Sequence, residues 1–200
     1  LTTAASRKPQ AARGRTVKIE TRAGVLEATV HANRVTMRMT DPTELRLDFS
    51  VDLDGRPLRL GFANTGVPHA VVPVDAIDQV DVVRIGRALR HHQAFSPRGA
   101  NVNFIQPDKS RPNRLRIRTY ERGVEDETLA CGTGIVAAAV VHGLSLGNGA
   151  PRRRRLEVQP RSGDVLTVSC TVSRRGTTPQ ATEVMLEGPA ARLFNGVLNW

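Results

Sequence analysis

The segment Gly132–His142, reading GTGIVAAAVVH, constrains this chain more than any other. From Ile135 to Val141 every residue is small or apolar. A helix built from such a run has no polar face and must be buried on all sides. The rest of the chain therefore has to wrap it. Just before it, Cys131 lies between the acidic stretch Glu125-Asp126-Glu127 and Gly132-Thr133-Gly134. This places a thiol where a core helix begins. The first N–H groups of a helix lack internal partners, and the macrodipole is positive there. Such a spot binds carboxylates and is expected to lower the thiol pKa. Thr133 is expected to cap the helix, and the two glycines to let backbone approach a ligand. The pattern predicts a thiolate base beside an anion pocket.

The flanking sequence alternates apolar and polar residues in short pieces. Val17, Ile19 and Val25–Val30 read as strands around Ala23-Gly24, followed by Val35–Met39, Leu45–Phe49 and, after the Asp54-Gly55 turn, Leu58–Phe62. The loop Ala63–His69 feeds an apolar strand over Ala70–Val74. Asp78–His92 is expected to be an amphipathic helix on the loose spacing of Val80, Val83, Ile85 and Leu89. Further strands are expected at Asn101–Ile105, Leu115–Tyr120, Leu156–Val158, Val165–Val172 and Glu183–Leu186. Many strands with one central apolar helix and one amphipathic helix make an α+β fold rather than an alternating βα one. Residues 1–15 are polar and basic, and read as a tail or linker.

The net charge is +10, and nearly all of the 29 basic residues are arginine, the exceptions being Lys8, Lys18 and Lys109. Excess positive charge raises the question of nucleic acid. The arginines are scattered, however, and form a run only at Arg152–Arg155. Aromatics at 4% are too few for base-stacking platforms. A nucleic-acid partner is not expected. No apolar run reaches membrane-spanning length, and the N-terminus has no secretory pattern. The two cysteines do not suggest a disulfide framework, which predicts a cytoplasmic protein. Cys170 shares a strand face with Leu166, Val168 and Val172 and reads as core. The chain starts at Leu1 rather than Met, as expected of a processed or truncated product. Gly132–Ala137 fits G-x-G-x-x-A, but that fingerprint requires a strand directly before it in a βαβ unit, and acidic residues stand there. The histidines show no metal-ligand spacing. No lysine stands in a context that suggests a pyridoxal Schiff base.

Several segments in order carry a family resemblance: TVKIETRAGVLEA (Thr16–Ala28), TGVPHAVV (Thr65–Val72), NVNF (Asn101–Phe104), YERG (Tyr120–Gly123), ACGTG (Ala130–Gly134) and LEGPAARLFNG (Leu186–Gly196). Together they resemble diaminopimelate epimerase, with YERG and ACGTG the most specific. The resemblance implies two similar lobes, each a curled, mostly antiparallel sheet around a central apolar helix, with the active site between them. Residues 16–32 would end a mostly missing N-terminal lobe. Residues 33–190 would form the C-terminal catalytic lobe, and 191–200 a closing strand that packs on the N-terminal lobe.

The implied activity interconverts LL- and meso-diaminopimelate, without a cofactor, for lysine and peptidoglycan synthesis. Two cysteines on opposite faces move the α-proton. Cys131 matches one of them, and no motif upstream matches the other. The resemblance implies that His69 and Glu121 tune the thiol. It implies that Asn101, Glu121, Arg122, Gly132 and Thr133 hold the substrate, the Glu121-Arg122 pair meeting its distal zwitterionic end. Many members carry Asn where Val67 stands, and Val67 cannot make that contact. A homodimer is implied as common in the family. The alternatives are a racemase of the same fold acting on another amino acid, or a catalytically silent binding module.

Overall fold

The computed structural model describes residues 14–21, 24–147 and 149–191. Most of the expected basic tail and of the expected closing strand, including Leu193, Phe194 and Trp200, therefore lies outside the described residues. The described chain forms β1 (Arg15–Thr21), β2 (Gly24–Val30), β3 (Arg34–Arg38), β4 (Thr43–Leu53), β5 (Arg56–Asn64) and β6 (Pro68–Pro73). Then come α1 (Val82–Arg90), β7 (Asn101–Pro107), β8 (Arg114–Glu121), β9 (Asp126–Thr128), α2 (Gly132–Ser145), β10 (Arg152–Gln159), β11 (Leu166–Arg175) and β12 (Thr178–Pro189). The Asp54-Gly55 signal closes the β4–β5 hairpin, with φ of 54° and 77°. Positive φ at both central residues is what a two-residue hairpin turn with the strand twist requires.

One sheet runs in the order β1-β2-β3-β12-β11-β10-β8-β7-β6-β5-β4, with β9 pairing on β8. Most neighbours are antiparallel. Two pairs are parallel, β6 with β7 and β8 with β10. A parallel pair needs a crossover connection. Here α1 lies between the first pair and α2 between the second. The layout is α+β, and each helix serves as a crossover within the mostly antiparallel sheet.

Strand alternation sorts β5–β8 into two faces. Ala63, Val71, Ile105, Leu115 and Ile117 pack in one core cluster with α2. Leu60, Phe62, Ala70, Val72, Val102, Phe104 and Tyr120 pack in another with Val82 and Leu89 of α1. Helix α2 is buried from Gly134 through Leu144. It packs on β4 to β8 and on β10 to β12, and β4 in turn approaches β12. The β3–β12 ladder runs one residue past β3, where the Met39 N–H donates to the Val184 carbonyl at 2.9 Å.

Helix α1 is shorter than its apolar spacing suggests. A 3-10 turn occupies Ile77–Gln79, and α1 begins only at Val82, with Asp81 accepting from the Arg84 N–H. An Asp in the N-cap position satisfies one orphan donor and sets the start. Val80 lies before that cap and packs from outside the helix.

Candidate active site

The α2-facing stripe changes character along its length. It is apolar beside the body of α2 and polar at the end where α2 begins. Thr65, just past β5, joins His69, Asn101, Asn103, Thr119 and Glu121, which strand alternation puts on this stripe. The first five are buried, at 0–4% exposure. Register holds them together: His69 lies opposite Asn101, and Asn103 opposite Thr119. The start of α2 is tied to the same place. The Thr65 hydroxyl donates to the Thr133 carbonyl at 3.2 Å. A Cβ on Gly134 would come within 2.4 Å of Asn103 Oδ1. Buried polar groups this dense require partners, and most of these find one in another member of the cluster.

Cys131 occupies the N-cap of α2, with extended backbone (φ −129°, ψ 110°) and 8% exposure. Its Sγ lies 3.5 Å from the Thr133 hydroxyl. This corrects two expectations. Thr133 is inside the first turn rather than at the cap. The thiol pKa is raised rather than lowered, by burial first, with the Glu121 charge adding in the same direction. The Thr133 hydroxyl and the N–H groups of Gly134 and Thr133 pull the other way, as a helix start should, and burial outweighs them. The glycines also separate in role. Gly132 is exposed, and a Cβ there would find its nearest neighbour, Leu186, at 3.6 Å. Gly134 is needed because Asn103 occupies the space of a side chain.

Asn101 Oδ1 accepts from the Arg122 backbone N–H at 2.8 Å, and its amide donates to the Pro68 carbonyl at 3.3 Å. Its first task is to fasten β6, β7 and the end of β8 together, which the expected substrate role did not include. Glu121 ends β8 and Arg122 follows it in the turn, both half-buried, and the Arg122 guanidinium donates to the Arg98 carbonyl at 3.3 Å. Glu125 braces the turn that follows. It accepts from Arg90 Nε at 3.1 Å, from the Gly123 N–H at 3.0 Å and from the Tyr120 hydroxyl at 3.3 Å.

His69 is fully buried, and its pKa falls to about 3, through burial and then the positive charge of Arg122. Its Nδ1 lies 3.1 Å from the Asn103 amide nitrogen. Its Nε2 is buried without a partner among the described residues. Val67 is half-buried in the loop before His69, and its carbonyl accepts from the Thr65 N–H at 3.1 Å. Sequence reasoning missed Thr65, Asn103 and Thr119. Asn103 was within reach, because Asn101 and Asn103 are two residues apart on one strand and share a face.

The family model described as Diaminopimelate epimerase matches residues 61–190, a span that contains all of these residues. The chain belongs to the diaminopimelate epimerase family. It is 41% identical over 188 residues to the diaminopimelate epimerase of Aquifex aeolicus (strain VF5), covering 93% of this chain and 63% of that protein. It is 37% identical over 190 residues to the one from Hydrogenobaculum sp. (strain Y04AAS1), covering 92% of this chain and 62% of that protein. The chain thus spans less than two thirds of the length of these curated diaminopimelate epimerases.

Among solved structures, a hydroxyproline epimerase from Agrobacterium vitis with bound trans-4-OH-L-proline superposes with a TM-score of 0.67 at 19% identity, over 89% of this chain and 57% of that one. The Bacillus anthracis phenazine biosynthesis protein of the PhzF family gives a TM-score of 0.61 at 16% identity, over 88% of this chain and 67% of that one. At such identities the likeness is one of fold. Among the described residues no helix is long and apolar enough to cross a membrane.

Proposed function

We propose that this chain carries one face of a cofactor-independent epimerase site that interconverts LL- and meso-diaminopimelate, in lysine and peptidoglycan synthesis. The observation that carries the reading is the polar end of the α2-facing stripe, where α2 starts at its N-cap Cys131 with Gly134 against Asn103 and the Glu121 charge acting on the thiol, inside a family match. Cys131 is the group that gives or takes the α-proton. Its raised pKa makes the protonated thiol the resting form at neutral pH, and Glu121 reinforces that state. A thiol in that form gives a proton to the α-carbon, and the thiolate it leaves takes one back. The N–H groups of Gly132 and Thr133 at the start of α2 suit the reacting α-carboxylate. Glu121 and Arg122, a carboxylate and a guanidinium side by side, suit the distal ammonium and carboxylate. Asn101 has one amide hydrogen beyond its bond to Pro68, and offers that to substrate.

Cys170, the other thiol, is in the core at 1% exposure with its pKa pushed up to about 11 by burial. One proton-transfer group is therefore present. In this reading residues 33–190 are the catalytic lobe, its sheet curled around α2, and residues 16–32 end a second lobe. A dimer and a reducing cytoplasm fit the family and the two unpaired thiols.

The test is α-proton exchange of LL- and meso-diaminopimelate in D₂O, with Cys131→Ala as control. The expected result is deuterium entry into one of the two stereoisomers, without inversion, abolished by the substitution. Binding of diaminopimelate with no Cys131-dependent exchange would overturn the enzymatic reading and leave a binding module. An epimerase of proline type shares the fold. Exchange of proline or hydroxyproline in preference to diaminopimelate would establish that reading instead, against the two-ended match offered by Glu121 and Arg122.

A further inference from the structure

Asn103 is fully buried and uses its whole amide. Its nitrogen donates to the Ala70 carbonyl at 3.0 Å and lies 3.1 Å from His69 Nδ1. Its oxygen accepts from the Thr119 hydroxyl at 3.0 Å. A carbonyl oxygen can only accept, so the bond to Ala70 fixes which end of the amide is NH₂. The same NH₂ faces His69 Nδ1. That ring nitrogen must therefore carry a lone pair, and the ring proton of neutral His69 must sit on Nε2. An imidazolium would set an N–H against the NH₂ and is excluded by the same geometry. Thr119 holds the amide from the far side, and the Gly134 backbone closes over Asn103 Oδ1. Neither the amide nor the ring can turn without breaking a buried bond.

The consequence falls on the other ring nitrogen. Nε2 is buried and has no partner among the described residues. An N–H in that state is an unspent donor, and a buried unmade bond is costly. We propose that Asn103, buttressed by Thr119, is a positioning residue that holds His69 as the Nε2–H tautomer, so that its free N–H serves as a preorganised neutral donor to an anionic oxygen or sulfur in the site. The low pKa of His69 agrees with a ring that stays neutral. A neutral donor stabilises charge that develops in the transition state without giving up its own proton. The device also links β6, β7, β8 and α2 at one point, so the donor and the cap of α2 share a frame. The tautomer follows from geometry alone. Its use on substrate rests on the epimerase reading.

The experiment is ¹⁵N NMR of the full chain labelled in histidine, with the His69 ring signals assigned by loss in His69→Gln. The ring shifts report directly which nitrogen bears the proton. The expected wild-type result is a single tautomer with a bare Nδ1 and a protonated Nε2. Asn103→Asp places an acceptor where the NH₂ was, and should move the proton from Nε2 to Nδ1. Thr119→Val removes the buttress with little change of shape but leaves the bond to the Ala70 carbonyl, so the Nε2–H tautomer should persist. A wild-type ring protonated on Nδ1 would overturn the proposal. So would a folded Asn103→Asp with its ring unchanged, or a Thr119→Val whose ring proton moves to Nδ1. Should Asn103→Asp fail to fold, the wild-type and Thr119→Val spectra decide. On addition of meso-diaminopimelate, the Nε2 signal should move while Nδ1 stays. A correct tautomer in a chain that binds no diaminopimelate leaves the assignment standing and sinks the epimerase reading.

Discussion

At the scale of single residues, the thiol shows how competing effects are ranked. A helix start lowers a cysteine pKa, and the sequence makes that effect visible at Cys131. Burial and a nearby carboxylate raise it, and they win. The chain itself gives little hint of either. Both depend on tertiary packing, and Glu121 acts on the thiol from the end of β8, ten residues earlier in the chain. Two outcomes follow. Alkylation of Cys131 by iodoacetamide should accelerate with pH along a curve whose midpoint lies above the ordinary thiol value of 9.0. Glu121→Gln removes a negative charge that disfavours the thiolate, so its curve should move to lower pH. A curve centred below the ordinary value, or one that Glu121→Gln moves upward, would contradict the ordering of effects. Cys170 should stay unreactive over the same range, since it is buried with a pKa near 11.

At the scale of elements, the arginine run is the clearest lesson. As sequence, Arg152–Arg155 is a block of four like charges. As β10, it alternates between two faces. Arg154 turns inward, and its guanidinium donates to the Leu146 carbonyl at 2.9 Å, at the C-terminal end of α2. That end carries the negative pole of the helix and its orphan carbonyls. Arg155, on the outer face, approaches Glu187 at 3.8 Å. A strand thus splits one apparent patch into a helix cap and a surface pair. Arg154→Met keeps the stem and removes the donor. It should destabilise the fold by about 1–2 kcal/mol, read as a lower urea midpoint, whereas Arg153→Met on the exposed face should change it little. The docking of α1 makes a matching case. A Cβ on Gly86 would come within 2.5 Å of Tyr120. Gly86→Ala should cost roughly 1–3 kcal/mol through overpacking, despite the better helix propensity of alanine. A neutral or stabilising result would show that α1 can lift off β8.

At the scale of the whole molecule, the buried helix and the strand succession were legible because both rest on local periodicity. What the periodicity could not carry was the pairing of distant strands. The parallel pairs β6–β7 and β8–β10 depend on where the helices cross, and the role of Asn103 depends on three strands and a helix meeting. The same assembly buries two histidines, and this gives the molecule an acid response. His69 is held near 3 by burial and Arg122, and His142 is lowered by burial and then Arg154, against the raising effect of its bond to the Pro112 carbonyl. In the unfolded chain both would titrate at their ordinary value of 6.5. Above that pH neither state binds a proton there, and the two groups leave stability unchanged. Below it, the unfolded chain gains protons that the folded chain refuses, so stability falls as the pH drops. For His69 the loss continues down to its folded value of about 3. In urea unfolding between about pH 6 and pH 4.5, His69, kept neutral, contributes a slope approaching ~1.4 kcal/mol per pH unit. His69→Gln removes one of the two contributions. Its stability should therefore decline less steeply than that of the wild type over the same range, whatever its stability at pH 7. Parallel slopes would mean that His69 takes up a proton in the folded state, against both its burial and the NH₂ that faces its ring.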